Sequence, residues 1–244
     1  MGASIKLISI NAERSLHLDL IVPFLEMRRP EVVCVQELLE RDIPRFEKII
    51  GPCRAFGIDG LHPADPPETG SLMEGNGIFA PLPVVSTDVH YYAGSEEHAR
   101  TRLPKVIPDD VSIVSCEVEK EGKNFHFLTT HFTWSARGKA VNLQRENMNK
   151  LLKYLENLKE FVLIGDFNAP RGGEIFAMLA GRYKDNVPPH YTSSIDPNLH
   201  RAGRLELMVD GIFSTPLYAV SDVEIVSGVS DHCALVATVS TAHN

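Results

Sequence analysis

At 244 residues, 43% of them hydrophobic and 23% charged, the chain has the composition of a globular protein with one large domain or two small ones. Its formal charge of −8 leaves no basic footprint for wrapping long nucleic acid, although local Arg, Lys or a bound metal can reverse the field within one cleft. No apolar run approaches the roughly 20 residues that span a bilayer, and the opening Met1-Gly2-Ala3-Ser4-Ile5-Lys6 lacks both a signal-peptide pattern and the hydroxyl residue of a myristoylation pattern. A cytoplasmic protein without a membrane span is expected.

Residues 5–10 are rich in β-branched side chains and predict a strand ending at Asn11. Over 15–29, Leu16, Leu20, Phe24 and Met27 recur at spacings of three and four, a helical stripe weakened at Pro23 and stopped by Pro30. Residues 31–36 predict a second strand ending at Glu37, and 43–50 a short helix closed by Gly51. Residues 57–76, rich in Gly, Pro, Asp and Glu, read as a long loop, followed by strands over 76–81 and 84–92. A second polar loop, with Arg100, Arg102 and Lys105, covers 94–110.

Strands over 111–119 and 125–132 flank a hairpin signal at 120–124, and the second ends at His131. Residues 138–157, carrying Val141, Met148, Leu151, Leu152 and Leu155, form the clearest amphipathic helix. The apolar run 161–164 meets Gly165 and reads as a short buried strand. Beyond it, Asp166 and Asn168, two apart on extended backbone, face one spot. Residues 181–204 read as a third loop, 205–214 as a strand containing Asp210, and 218–226 as another. Ser230-Asp231-His232 leads into a last strand over 233–240. Cys34, Cys53, Cys116 and Cys233 have no metal or redox spacing and read as buried, inert thiols of a reducing compartment.

Asn11, Glu37, His131, Asp166, Asn168, Asp210, Asp231 and His232 thus lie at or beside strand ends. Acids converging on one spot repel one another, and a hard divalent cation, Mg²⁺ or Mn²⁺, relieves this through oxygen ligands. The two histidines then serve phosphate contact or proton transfer.

In order, Asn11, Gln36-Glu37, Thr130-His131, Gly165-Asp166-Phe167-Asn168, Val209-Asp210 and Ser230-Asp231-His232 resemble the motifs of the endonuclease/exonuclease/phosphatase superfamily, over nearly the whole chain. The resemblance implies one domain over residues 1–244, a DNase I-like four-layer α/β sandwich of two mostly antiparallel sheets packed face to face with helices outside. It implies metal-dependent hydrolysis of a phosphoester by in-line attack of water. Glu37, Asn11 and Asp231 would hold the metal. Asp166 would align the water, and Asn168 and His232 would contact the phosphate. Asp210 would fix a histidine tautomer, and His131 would protonate the leaving oxygen.

Glu13 stands where some members place another acid. Arg100 and Arg102 are candidates for phosphate contact, although a solvated loop is their plainer reading; Trp134 is a candidate for stacking on a base or sugar, or for packing. In the last loop, Tyr191, His200, Arg201 and Arg204 are the nearest candidates for substrate contact. Nucleic acid is the expected substrate and a monomer the working assumption. A small metabolite or lipid headgroup phosphoester and a catalytically silent binding module are the alternatives.

Overall fold

The computed structural model describes residues 2–63, 70–101, 103 and 110–241. In chain order the strands are β1 (Ser4–Asn11), β2 (Val32–Leu39), β3 (Cys53–Pro63), β4 (Ser71–Phe79), β5 (Val84–Ala93), β6 (Val111–Lys120), β7 (Lys123–His131), β8 (Val162–Asp166), β9 (Lys184–Asp185), β10 (Asp210–Ser214), β11 (Tyr218–Val226) and β12 (Ala234–Thr241). The helices are α1 (Leu18–Arg28), α2 (Ile43–Ile50), α3 (Glu96–Thr101), α4 (Asn142–Leu155) and α5 (Glu174–Ala180).

The strands form two six-stranded sheets, in the orders β11-β12-β1-β2-β4-β3 and β5-β6-β7-β8-β10-β9. Each sheet is antiparallel except for one central parallel pair, β1 with β2 and β7 with β8. A parallel pair needs a long crossover, and α1 and α4 supply them. The result is a four-layer α/β sandwich. Ile5, Leu7, Val32, Cys34, Phe125, Phe127, Val162 and Ile164 fill the space between the sheets. The alternate residues Ile8, Ile10, Val33 and Val35 pack outward against Leu18, Ile21, Leu25 and Phe46 of α1 and α2. Leu128 and Leu163 do the same against α4 and α5. Among the described residues no helix is long and apolar enough to cross a membrane. The four cysteines are free, and burial pushes Cys116 up to about 11 and Cys53 and Cys233 up to about 12, which leaves them unreactive thiols.

The structure departs from the sequence reading at several places. At α1 the expected stripe is mostly turned outward: Leu16, which precedes the helix, and Leu20 and Met27 within it are exposed, and Leu18, Ile21, Phe24 and Leu25 are buried. The segment is apolar on two adjacent faces, so periodicity alone leaves the choice to the sheet it covers. The expected loop over 57–76 is mostly the β3–β4 hairpin, paired from Cys53↔Phe79 to Pro63↔Ser71. Its glycines act through close approach: a Cβ on Gly75 would stand 1.8 Å from the Gly57 carbonyl oxygen. The 94–110 segment contains α3, while Arg102 and Lys105 lie outside the described residues. Strand β10 begins at Asp210, so 205–209 is not strand. Helix α4 is shorter than expected, Val141 is exposed, and α5 is an additional helix. Finally, β2 does not end at Glu37 but runs on to Leu39.

Candidate active site

On the face between the sheets, the four central strands each run from apolar to polar toward one end: Ile5-Leu7-Ser9-Asn11, Val32-Cys34-Gln36, Phe125-Phe127-Thr129-His131 and Val162-Ile164-Asp166, by the two-residue alternation of a strand. The sandwich is therefore oily at one end and polar at the other. Gln36 marks the transition: its Nε2 donates across the seam to Thr129 Oγ1 at 2.7 Å and, within its own sheet, to Ser9 Oγ at 3.1 Å.

Successive residues of a strand point to opposite faces, so Gln36 and Glu37 should not share a side. The pairing of β2 with β4 jumps from Val35↔Gly77 to Leu38↔Gly75, one extra residue on β2, and Glu37 takes the left-handed φ of 48°. This β-bulge turns the Glu37 carboxylate into the seam. Glu37 Oε1 lies 3.2 Å from Asn11 Nδ2 and 3.8 Å from His131 Nε2. Asn11 Nδ2 also donates to Asp166 Oδ2 at 3.2 Å, joining the ends of β1 and β8 across the two sheets.

Asp166 is the hub. Its Oδ2 lies 3.5 Å from His131 Nε2 and 3.7 Å from His232 Nδ1, and its Oδ1 accepts the Asn168 backbone N–H at 2.7 Å. That turn places Asn168 at φ 48°, a conformation Asn tolerates. Asn168 Nδ2 then lies 2.8 Å from the Phe132 carbonyl and 2.9 Å from His131 Nε2. Gly165 permits this approach of β8 to β7, since a Cβ there would stand 2.2 Å from the Thr130 carbonyl oxygen.

His232 Nδ1 meets Asp210 Oδ2 at 2.8 Å, both groups buried. Burial pulls each of the two toward its neutral form, but Asp210 and then Asp166 face the one ring, and together they raise its proton affinity well above the ordinary imidazole value. His131 is raised for the same reason, burial being outweighed by Asp166, Glu37, Asp59 and Glu74. Asp166, Asp210 and His232 present ligand atoms within 4.8 Å of one another, as do Glu13, His17 and Asp231. Asp231 thus faces Glu13 and His17, and Asn11 and Glu37 face each other.

Several supporting residues carry no signal in the sequence. Ser194 Oγ accepts the backbone N–H of Val209 and Asp210 at 3.1 Å each. The Asp196 backbone N–H donates to the Asp231 carbonyl at 2.8 Å, and the Cys233 N–H to the Ser194 carbonyl at 2.7 Å. The 193–198 segment therefore laces the start of β10 to Asp231 and His232. Burial opposes the charge on Asp196, but the backbone N–H groups of Gly228, Asn198 and Leu199 hold its carboxyl below the usual range. Gln144 of α4, fully buried, donates to the carbonyls of Thr133 at 2.8 Å and Asn168 at 3.3 Å. Glu74, also buried, is pushed up to about 8 by burial and then by the charge of Glu37. Polar residues on the buried stripe of α4 were the one available hint.

Of the peripheral candidates, Arg100 pairs with Glu96 at 2.8 Å on α3 and Arg204 with Glu206 at 2.7 Å. Tyr191 packs against the inter-sheet core, Arg201 is exposed and Trp134 is half exposed. His200 is half-buried, and burial, then the charge of His232, hold its proton affinity below the usual value.

The donor set fits a hard divalent cation. The carboxylates outnumber the cations facing them, and Glu37 Oε2 and Glu74 Oε2 are buried oxygens that accept no hydrogen bond and share one guanidinium, Arg14, at 3.1 and 3.7 Å.

A profile described as the Endonuclease/Exonuclease/phosphatase family matches residues 8–232. No curated protein matches the sequence. Among solved structures, the chain is similar to the endonuclease/exonuclease/phosphatase from Bacteroides vulgatus, at 15% identity over 98% of this chain and 100% of that one, with a TM-score of 0.70. It is similar to the human nocturnin catalytic domain with bound sulfate, at 16% identity over 99% and 97%, TM-score 0.71. It is also similar to D. rerio TDP2 complexed with a single-strand DNA product, at 15% identity over 98% and 100%, TM-score 0.66.

Proposed function

The chain belongs to the endonuclease/exonuclease/phosphatase family, whose members hydrolyse phosphoester bonds, and from that premise we propose that it is a phosphodiesterase of nucleic acid dependent on Mg²⁺ or Mn²⁺. The observation that carries the reading is the convergence of Asp166 with Asn11, His131, Asn168 and His232 beside the Glu37 carboxylate. Hydrolysis needs a group to align water, donors for the phosphoryl oxygens and a proton for the leaving oxygen, and these residues supply all three.

Glu37, Asn11 and Asp231 would hold the cation, which when bound supplies positive charge opposite the phosphoryl and leaving oxygens. Asp166 aligns the attacking water in line with the leaving group. Cationic His232, kept so by Asp210, and the amide of Asn168 donate to the phosphoryl oxygens as negative charge grows there. His131, whose proton affinity the surrounding carboxylates raise, gives its ring proton to the leaving oxygen, and Asp166 accepts the proton that the attacking water loses. No covalent intermediate is required.

The single-strand DNA product on the similar TDP2 structure supports a nucleic-acid phosphodiester, while the sulfate on nocturnin suits a phosphate group of either substrate class. A small phosphorylated metabolite or lipid headgroup is the second reading. The ion pairing of Arg100, Arg145, Arg171 and Arg204 to carboxylates favours it, because those cations are committed. A silent binding module is disfavoured by the complete set of acids and histidines.

Hydrolysis of bis-p-nitrophenyl phosphate, then of single- and double-stranded DNA, RNA, nucleotides, inositol phosphates and lysophospholipids, tests both substrate readings. Glu37→Ala and Asp166→Asn should each lower kcat/KM on the order of a thousandfold or more, about 4 kcal/mol at the transition state. Full activity in both variants would sink the reading.

A further inference from the structure

Arg14 stands among the carboxylates that the proposed chemistry needs for a cation. Its Nη1 lies 3.1 Å from Glu37 Oε2 and 3.7 Å from Glu74 Oε2, and its Nη2 lies 3.8 Å from Glu13 Oε1. Its backbone N–H donates to the Glu37 carbonyl at 3.0 Å, so the residue is tied beside the bulge whichever way its side chain turns. Glu74 sits on β4 opposite Leu39, just past the bulge, with its side chain only 4% exposed. Its Oε2 accepts no hydrogen bond. Burial favours the neutral form of this carboxyl, and among the described ion pairs Arg14 is the cation that favours the charged form.

Glu37 is also the principal ligand in the metal-dependent reading, on which this inference rests. A guanidinium at 3.1 Å and a divalent cation compete for one carboxylate and repel each other. The next acceptor for the guanidinium is Glu74 Oε2, already 3.7 Å from Nη1 and accepting no hydrogen bond. We propose that Arg14 is the internal counter-ion of the metal-free site: it holds Glu37 until a divalent cation binds and is then handed to Glu74, so that Arg14 and Glu74 together set the affinity for the metal. Glu74 is in this sense a positioning residue that acts through Arg14.

Calorimetric titration with Mn²⁺ tests it on the wild-type protein, Arg14→Gln, Glu74→Gln and the double variant. Arg14→Gln should tighten Mn²⁺ binding about tenfold and Glu74→Gln weaken it by a similar factor. In the double variant the Glu74→Gln loss should disappear, because the group it acts through is gone. Arg14→Gln binding no tighter than wild type overturns the proposal. So does a Glu74→Gln loss that survives undiminished without Arg14, which would make Glu74 a ligand in its own right. Should a variant fail to fold, ¹⁵N spectra of the arginine side chains in the unmutated protein read the same event. The Arg14 Nε–H resonance should shift on adding Mg²⁺, and an unmoved resonance at saturation refutes the hand-over. Wild-type protein that binds no Mn²⁺, or Glu37→Ala that binds it normally, fails the metal-dependent reading itself. Normal binding lost in Glu37→Ala but indifferent to Arg14 fails the hand-over alone.

Discussion

Asp59 bridges the two sheets from β3. Its Oδ1 accepts the backbone N–H and hydroxyl of Ser112 at 2.8 and 2.6 Å, and its Oδ2 lies 2.6 Å from Asn76 Nδ2. Burial outweighs those hydrogen bonds and pushes its carboxyl from 3.8 up to about 7. The folded protein therefore keeps a proton that the unfolded chain releases. Stability is unaffected by this group below about pH 4, falls as pH rises from there, and has lost its full share above about pH 7, roughly 4 kcal/mol at most. Asp59→Asn cannot ionise, and a flip of Asn76 would offer it Oδ1, which now has no partner. Urea unfolding should show the variant more stable than wild type at pH 8 by a few kcal/mol and no more stable at pH 4. A gain equal at both pH values would show that packing, not ionisation, is responsible.

Among the elements, β8 and β2 each place a polar group by a backbone exception. The bulge in β2 turns Glu37 toward Asn11, and the missing Cβ of Gly165 lets β8 lie against Thr130 so that Asp166 and Asn168 reach His131. Gly165→Ala would drive a methyl to within 2.2 Å of a backbone oxygen. It should cost roughly 2–4 kcal/mol by thermal or urea unfolding and abolish phosphoesterase activity through displacement of Asp166. An alanine variant of native stability and activity would mean that the strands separate without consequence. Helix α4 contributes in another way. Its first buried turn is polar, and Gln144 fixes the Asn168 carbonyl while the later turns supply Met148, Leu151 and Leu155 to the core.

For the molecule as a whole, the site lies on the seam. Asn11 to Asp166 and Gln36 to Thr129 are contacts between one sheet and the other. A cation held there would neutralise repulsion between carboxylates of both sheets and bind the folded state alone. At a hundred times its dissociation constant it would add about 2.7 kcal/mol, or on the order of 5–10 °C in Tm for a chain of this size. Thermal melts with Mg²⁺ or Mn²⁺ against chelator should show that rise in the wild type and none in Glu37→Ala. A rise of equal size in the variant would place the stabilising ion elsewhere.

Much of this was legible in the residues themselves. The 120–124 turn and its strands, helix α2 with Gly51, and the amphipathic face of α4 are local matters, decided by periodicity and turn chemistry within one stretch of chain. The polar residues at strand ends were visible too, because a carboxylate or imidazole breaking an apolar run must find a partner. What that reading missed depends on pairing. The glycines of 57–77 look like loop residues alone and become close-approach points only when β3 lies on β4. The α1 stripe could be chosen only by the sheet beneath it. Glu37 looked like a strand end because no local rule announces a bulge. Sequence by itself determined which residues are polar and where the strands carry them; only the tertiary structure decided which carboxylates meet. The physical reason is distance along the chain: Asn11 and Asp166 are 155 residues apart, and their contact exists only when two sheets close on a common core.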